Sequence, residues 1–325
     1  MNPAFSVIFL TTLIGVGQGV FLALFTGQSY AVLKLLPLQD GPQFYGLGGF
    51  VALLFLIAGL IASVFHLGRP ERAWRAATQW RTSWLSREVI VLPAFMGLVF
   101  IYSVMHFMQW DAVLFTSSNG VSLNLTLIIG VLGTIAAFAL FVCTGMIYAC
   151  LKFLQEWASP LTVINYTLLG TASGFMLTTA FAQQNAPELM HFYGIWATII
   201  TVMAFITRAA SLFRNRRIKA KSSVQTAIGV RHNRIVQKSM GFMGGSVNTR
   251  DFFHHQTALF LKNIKWLFLI LVFPVPLILL WLGMQQVSAS YLLAAFAVQY
   301  VGLILERWFF FAQANHPQNL YYQTV

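Results

Sequence analysis

Eight stretches of about twenty mostly apolar residues divide the chain, over 5–26, 46–68, 85–108, 123–150, 161–184, 188–208, 264–284 and 287–312. A helix rises ~1.5 Å per residue, so each stretch is long enough to cross the ~30 Å hydrocarbon core of a bilayer. Polar residues do not alternate with apolar ones inside the stretches, as the strands of a membrane barrel require. The pattern predicts an all-α integral membrane protein, a bundle of eight transmembrane helices forming a single membrane domain over 1–325. An even number of crossings puts the N and C termini on one side. Pro274 and Pro276 fall inside the seventh stretch and predict a kink, and Gly170, Ala172 and Gly174 predict close helix packing in the fifth. No internal repeat is visible.

Composition sharpens this picture. The chain of 325 residues is 58% hydrophobic and only 9% charged, whereas a soluble domain carries about 25% charge to wet its surface. That excludes an ordinary soluble protein and a disordered one. Nineteen of the 20 Lys and Arg residues fall on the side shared by the termini, and only Lys34 falls on the other. Because cytoplasmic connectors retain Lys and Arg, the termini and the long connector are assigned to the cytoplasm. The connector 209–263 is the one extramembrane region of any size, with Arg214, Arg216, Arg217, Lys219, Lys221, Arg231, Arg234 and Lys238 against the single acid Asp251. Two readings stand: topology-setting charge that touches anionic membrane lipids, or a docking surface for a soluble partner. Nucleic acid is not a partner on this reading, since so short a connector cannot build a recognition fold. Cys143 and Cys150 are too few to hold an iron-sulfur cluster, which takes four ligands.

Ionisable side chains are costly in a bilayer, so the few near its boundary are the functional candidates. The second stretch ends in His66-Leu-Gly-Arg-Pro-Glu-Arg-Ala and the third opens with Ser86-Arg87-Glu88-Val89, which brings an imidazole and a carboxylate to the same boundary. In part these residues are simply helix punctuation. Gly68 and Pro70 stop one helix, and Glu88 suits the positive end of the next. Punctuation does not explain a titratable His66 before the glycine, nor Trp74, Trp80 and Trp84 in the connector. A quinone site explains both, because quinone reduction consumes two protons with two electrons. His66 and Glu88 are the candidate catalytic proton carriers, with Arg69, Arg72, Trp74 and Ser86 around them. Near the last stretch's end, Glu306-Arg307-Trp308 either closes the same pocket or forms an interfacial anchor.

The segment from His66 to Ala73, with Ser86 to Val89, resembles the paired signature of the membrane anchor subunit of the dimethyl sulfoxide reductase family, and the likeness in length and layout covers nearly the whole chain. The resemblance implies an anchor without its own redox centre. It binds a quinone, ubiquinone or menaquinone, beside an iron-sulfur electron-transfer subunit, which joins a molybdopterin catalytic subunit on the cytoplasmic face. The family's quinone-site histidine, arginine and acid match His66, Arg72 and Glu88, and its final-helix arginine matches Arg307. Within the family, the stretch Gly241 to Ser246 and the stretch Leu151 to Leu154 followed by Trp157 and Pro160 look most like anchors of sulfite-oxidising complexes. An anchor of a dimethyl sulfoxide or polysulfide reductase type, oxidising quinol, is the alternative. A haem b subunit is a further one; it needs facing axial histidines, and His106 and His191, on different helices near the opposite face, read instead as interfacial or hydrogen-bonded residues. A transporter is disfavoured, because no acid or base lies near mid-membrane.

Overall fold

The computed structural model describes residues 1–116, 122–239 and 247–322. Helices follow the apolar stretches. In chain order come α1 (Phe5–Val32), α2 (Leu47–Val64), α3 (Trp84–Phe107), α4 (Leu125–Ala149), α5 (Pro160–Asn185) and α6 (Met190–Arg216). Short helices α7 (Val224–Ile228) and α8 (Val247–Asp251) interrupt the long connector before α9 (Ala258–Val272), α10 (Pro274–Gln286) and α11 (Ala289–Ala312). The predicted kink falls at Phe273, where Pro274 lacks the N–H that would continue the helix. Outside the helices, β1 (Val113–Thr116) and β2 (Ser122–Asn124) pair antiparallel between α3 and α4, with Val113 opposite Asn124 and Thr116 opposite Ser122. The helical pattern of the flanking stretches gave no sign of this hairpin.

Among the described residues, 7 segments are long and apolar enough to cross a membrane, α9 and α10 counting as one. The expected eighth, α5, is a helix of 26 residues that stands outside this group. The reason lies in its composition: Thr162, Asn165, Thr167, Thr171, Ser173, Thr178 and Thr179 dilute its apolar character. Their cost is limited locally. The hydroxyls of Thr167, Thr171, Thr178 and Thr179 each donate to the carbonyl one turn back, at 2.7–3.0 Å.

Polar tolerance in α5 follows from its place at the centre, against α1, α4, α6 and α11. Its partner α1 is the other largely buried helix. The two touch through glycines spaced one turn apart, Gly15 and Gly19 on α1 and Gly170 and Gly174 on α5. A Cβ on Gly170 would lie 3.1 Å from the Cα of Gly15, and one on Gly174 would collide with the backbone of Gly19 and Val20. Small residues of this kind are what let membrane helices pack by van der Waals contact alone. Gly174→Leu is therefore expected to destabilise the protein at or above the upper end of the ~1–3 kcal/mol overpacking range. Gly97→Ala, where an added Cβ meets nothing within 4 Å, is the control and leaves stability unchanged or improved. Thermal unfolding of the detergent-purified chain compares the two; equal midpoints would refute the tight crossing.

The bundle has two distinct ends. At one, the Met1 amine donates to the Ala314 carbonyl at 2.9 Å and Asn2 N to Asp251 O at 2.9 Å, so both ends of the chain and the long connector meet there. At the other, Gln39 donates to Glu188 at 2.7 Å and Gln183 to the Val287 carbonyl at 3.2 Å. The long connector is shorter than 209–263, because α6 continues to Arg216 and α9 begins at Ala258. The extension of α6 is fixed by Arg214, whose Nη2 donates to the carbonyls of Gln155 and Ala158 at 2.9 and 3.0 Å. Gly241 to Ser246, one stretch of the family resemblance, lies outside the described residues.

Candidate functional site at the end that holds the termini

The turn after α2 presents its polar residues outward. Leu67 closes a backbone turn on Val64, and Pro70 opens a 3-10 helix, Pro70–Gln79, in which no residue is buried. His66, Arg69, Arg72 and Trp74 are all exposed; the Arg72 guanidinium lies 3.9 Å from the carboxylate of its neighbour Glu71. Phe65 is 81% exposed and Trp74 66%, a large apolar surface to leave bare on a connector. Partial burial pushes the His66 imidazole below its ordinary pKa, since it disfavours the charged ring.

The start of α3 turns the other way. Ser83 caps it by accepting from Ser86 N at 3.4 Å. Arg87 ties the connector down, donating to the carbonyls of Trp80 and Arg81 at 2.9 and 2.8 Å while its guanidinium lies 4.2 Å from the Trp84 ring. One residue on either side, Ser86 and Glu88 are buried. Glu88 accepts a hydrogen bond from the Thr144 hydroxyl of α4 and lies within electrostatic range of Tyr148 and Tyr166. Those two rings are stacked, 5.6 Å apart at 15°. No hydrogen bond, ion pair or ring contact joins His66 to Glu88 among the described residues.

Beyond Tyr166 lies a buried ionic group. The Arg307 guanidinium sits 3.8 Å from the Tyr166 ring centroid, and its Nε is 2.9 Å from Glu306 Oε2. The other oxygen of Glu306 is 2.7 Å from Nε of Arg208, on α6. All three side chains are at most 5% exposed. Two cations thus share one carboxylate, and Glu88 is the other buried acid among the described residues. The structure places Glu306 and Arg307 inside the protein, which excludes the interfacial-anchor reading. Arg208 was legible only as a charge at the end of a stretch, and Thr144, Tyr148 and Tyr166 carried no signal beyond lying on apolar helices. A base four residues after the buried Ala204, on the face that holds Thr201 and Ser211, is the clue that helical spacing offers for Arg208.

At the opposite end His106 is buried between Tyr45 and Tyr102, with ring centroids 5.0 and 4.5 Å away, while His191 is exposed. The structure therefore gives these two imidazoles different surroundings.

At one end of the apolar bundle, then, lie a buried carboxylate, stacked tyrosines and an arginine-rich interior, beside a bare aromatic and basic connector. The class is shown by sequence comparison: residues 1–313 match the model of the DMSO reductase anchor subunit (DmsC), and the chain belongs to that family. Among curated proteins it is 58% identical over 325 residues, the full length of both chains, to a sulfite dehydrogenase subunit of Allochromatium vinosum.

Proposed function

We propose that the chain is the quinone-binding membrane anchor of a sulfite-oxidising molybdenum and iron-sulfur complex in a bacterial inner membrane. The family match over nearly the whole chain carries this reading, and the name of the 58% identical relative supports sulfite as the electron source. All eight long helices, α5 included, cross the bilayer, with the termini and the long connector cytoplasmic. The iron-sulfur and molybdopterin subunits dock on that same face. Exposed Phe65, Trp74 and Trp80, interspersed with Arg69, Arg72, Arg75 and Arg81, suit a protein cover better than water.

Quinone supplies an acceptor for two electrons and two protons. The residues present suit its headgroup, because the buried Tyr166 hydroxyl, with Tyr148 and Arg307 as polar neighbours and no well-aligned hydrogen-bond partner among the described residues, lies within electrostatic range of the Glu88 carboxylate. Glu88 is the buried group that passes a proton to the headgroup, and the hydrogen bond from Thr144 fixes its orientation. Arg307 favours negative charge nearby. His66, exposed on the connector, exchanges protons with water, Arg69, Arg72 and Trp74 surround it once a partner covers the connector, and Ser86 is buried with Glu88 at the start of α3. The chain carries no molybdenum chemistry itself; its part is proton delivery and placement.

His66→Gln is expected to lower sulfite-to-quinone turnover about tenfold, below the usual range for a positioned proton-transfer group, because an exposed carrier is partly replaced by water and buffer. Sulfite oxidation with an artificial dye stays intact, as does assembly. The pH profile carries the second signature. Because quinone reduction consumes protons, His66 acts through its protonated form, and with the imidazole pKa lowered that form is lost as pH rises through and above the ordinary imidazole range, so wild-type turnover falls with rising pH there and the variant lacks that limb. Unchanged quinone kinetics at every pH would remove His66 from the mechanism.

A further inference from the structure

The kink at Phe273 reshapes the outer surface of the bundle. Both α9 and α10 pack against α11, but α10 also reaches α6, whereas α9, on the other side of Pro274, barely touches it. The helices α6 and α9 therefore part, leaving a groove of about 890 Å³ between them. Its walls are apolar, made by Val202, Phe205, Ala209 and Leu212 of α6 facing Leu269 and Ile270 of α9. From Thr201 to Arg216 the groove follows about four turns of α6, roughly 22 Å at the helical rise, which exceeds the ~15 Å depth of one leaflet. It thus runs from near mid-membrane to the boundary. Only at that outer end do charges line it: Arg216 and Lys265, with Glu156 as the single acid, and Asn215 and Gln313 beside them. Trp266, next to Lys265 and 5.4 Å from its ammonium, lines the same end, an indole at the height where membrane proteins place them. On its inner side, Phe309 lines the groove and packs 5.4 Å from Phe268, whose ring lies 5.5 Å from Arg208.

We infer that this groove is a binding site for one anionic diacyl phospholipid, with an acyl chain between α6 and α9 and the phosphate at Arg216 and Lys265. Shape and charge agree on that occupant. The apolar length suits a fatty chain, the two cations outnumber the one carboxylate where the headgroup falls, and basic pockets between membrane helices are where anionic headgroups are held. A quinone tail would fill the walls equally well but gives the cationic rim no partner. The site is separate from Glu88 and His66, and its fate does not depend on the quinone reading.

The test is native mass spectrometry of the full-length chain in detergent, titrated with phosphatidylglycerol or phosphatidylcholine. The wild type is expected to retain one phosphatidylglycerol in preference to phosphatidylcholine. The double substitution Arg216→Glu with Lys265→Glu should weaken phosphatidylglycerol binding at least about tenfold, as loss of two cationic contacts predicts. Ala209→Trp, which fills the apolar wall and keeps both cations, should weaken it comparably, and this separates a seated lipid from headgroups gathered at a basic surface. Should the tryptophan not fold, Leu269→Trp probes the facing wall. Equal retention of the two lipids, undiminished binding after the wall is filled, or a quinone extracted from the groove in place of lipid would each overturn the inference.

Discussion

Glu306→Gln is expected to cost about 3–5 kcal/mol of stability, the range for breaking a buried ion pair from one side. The size follows from geometry. Each oxygen of Glu306 faces a different guanidinium, Arg208 at 2.7 Å and Arg307 at 2.9 Å, and all three groups are withdrawn from solvent. Removing the one carboxylate leaves two like charges near each other with no counterion at contact distance. Against a total stability of roughly 5–15 kcal/mol, that is enough to lose most of the folded protein. The exposed pair Glu71 and Arg72, at 3.9 Å with side chains more than half exposed, provides the contrast. Glu71→Gln should cost ~0–1 kcal/mol, since solvent screens that interaction. A second comparison isolates the coupling: Arg208→Gln should destabilise the wild type more than it destabilises Glu306→Gln, where its charge is already unpaired. Thermal unfolding and monodisperse recovery from detergent measure all of these. A Glu306→Gln protein that melts with the wild type would mean the network is hydrated and contributes little.

The same trio marks the limit of what the sequence discloses. Apolar runs near twenty residues located the helices because a bilayer imposes a length, and the proline pair located the break at Phe273 because a missing N–H is a local property. His66, Arg69, Arg72, Ser86 and Glu88 could be singled out because they stand at the ends of apolar runs, where a charge contrasts with its neighbours. What composition could not convey was depth and partner. Arg208 reads as one more topology-setting cation until α11 brings Glu306 against it, and Tyr148 and Tyr166 are merely apolar-looking until Arg307 lies on one of them. The hydroxyl content of α5 likewise reads as an ordinary span, and only its position between α1, α4, α6 and α11 explains why such a helix is tolerated. The hairpin β1 and β2 has one sequence signal, the turn-favouring dipeptide Asn119-Gly120 between the two strands, but no strong alternation of apolar and polar residues beside it.

Glu88→Gln is expected to reduce quinone-linked turnover by about 10²–10⁴-fold, the full worth of a positioned proton carrier. The loss exceeds that of His66→Gln for a physical reason: Glu88 is buried and water cannot take its place, whereas His66 is exposed. Glutamine keeps the shape and still accepts from Thr144, so assembly with partner subunits and dye-linked sulfite oxidation should persist. Thr144→Val separates orientation from proton transfer. It leaves the carboxylate in place but removes the donor that holds it, and it should reduce turnover less than Glu88→Gln does. Rates with a water-soluble quinone analogue, set beside dye-linked rates on the same preparation, distinguish a failed proton step from a failed complex. If Glu88→Gln turned over quinone at the wild-type rate, the buried carboxylate would be a packing element of α3 and α4, and the proton route would have to run through other groups.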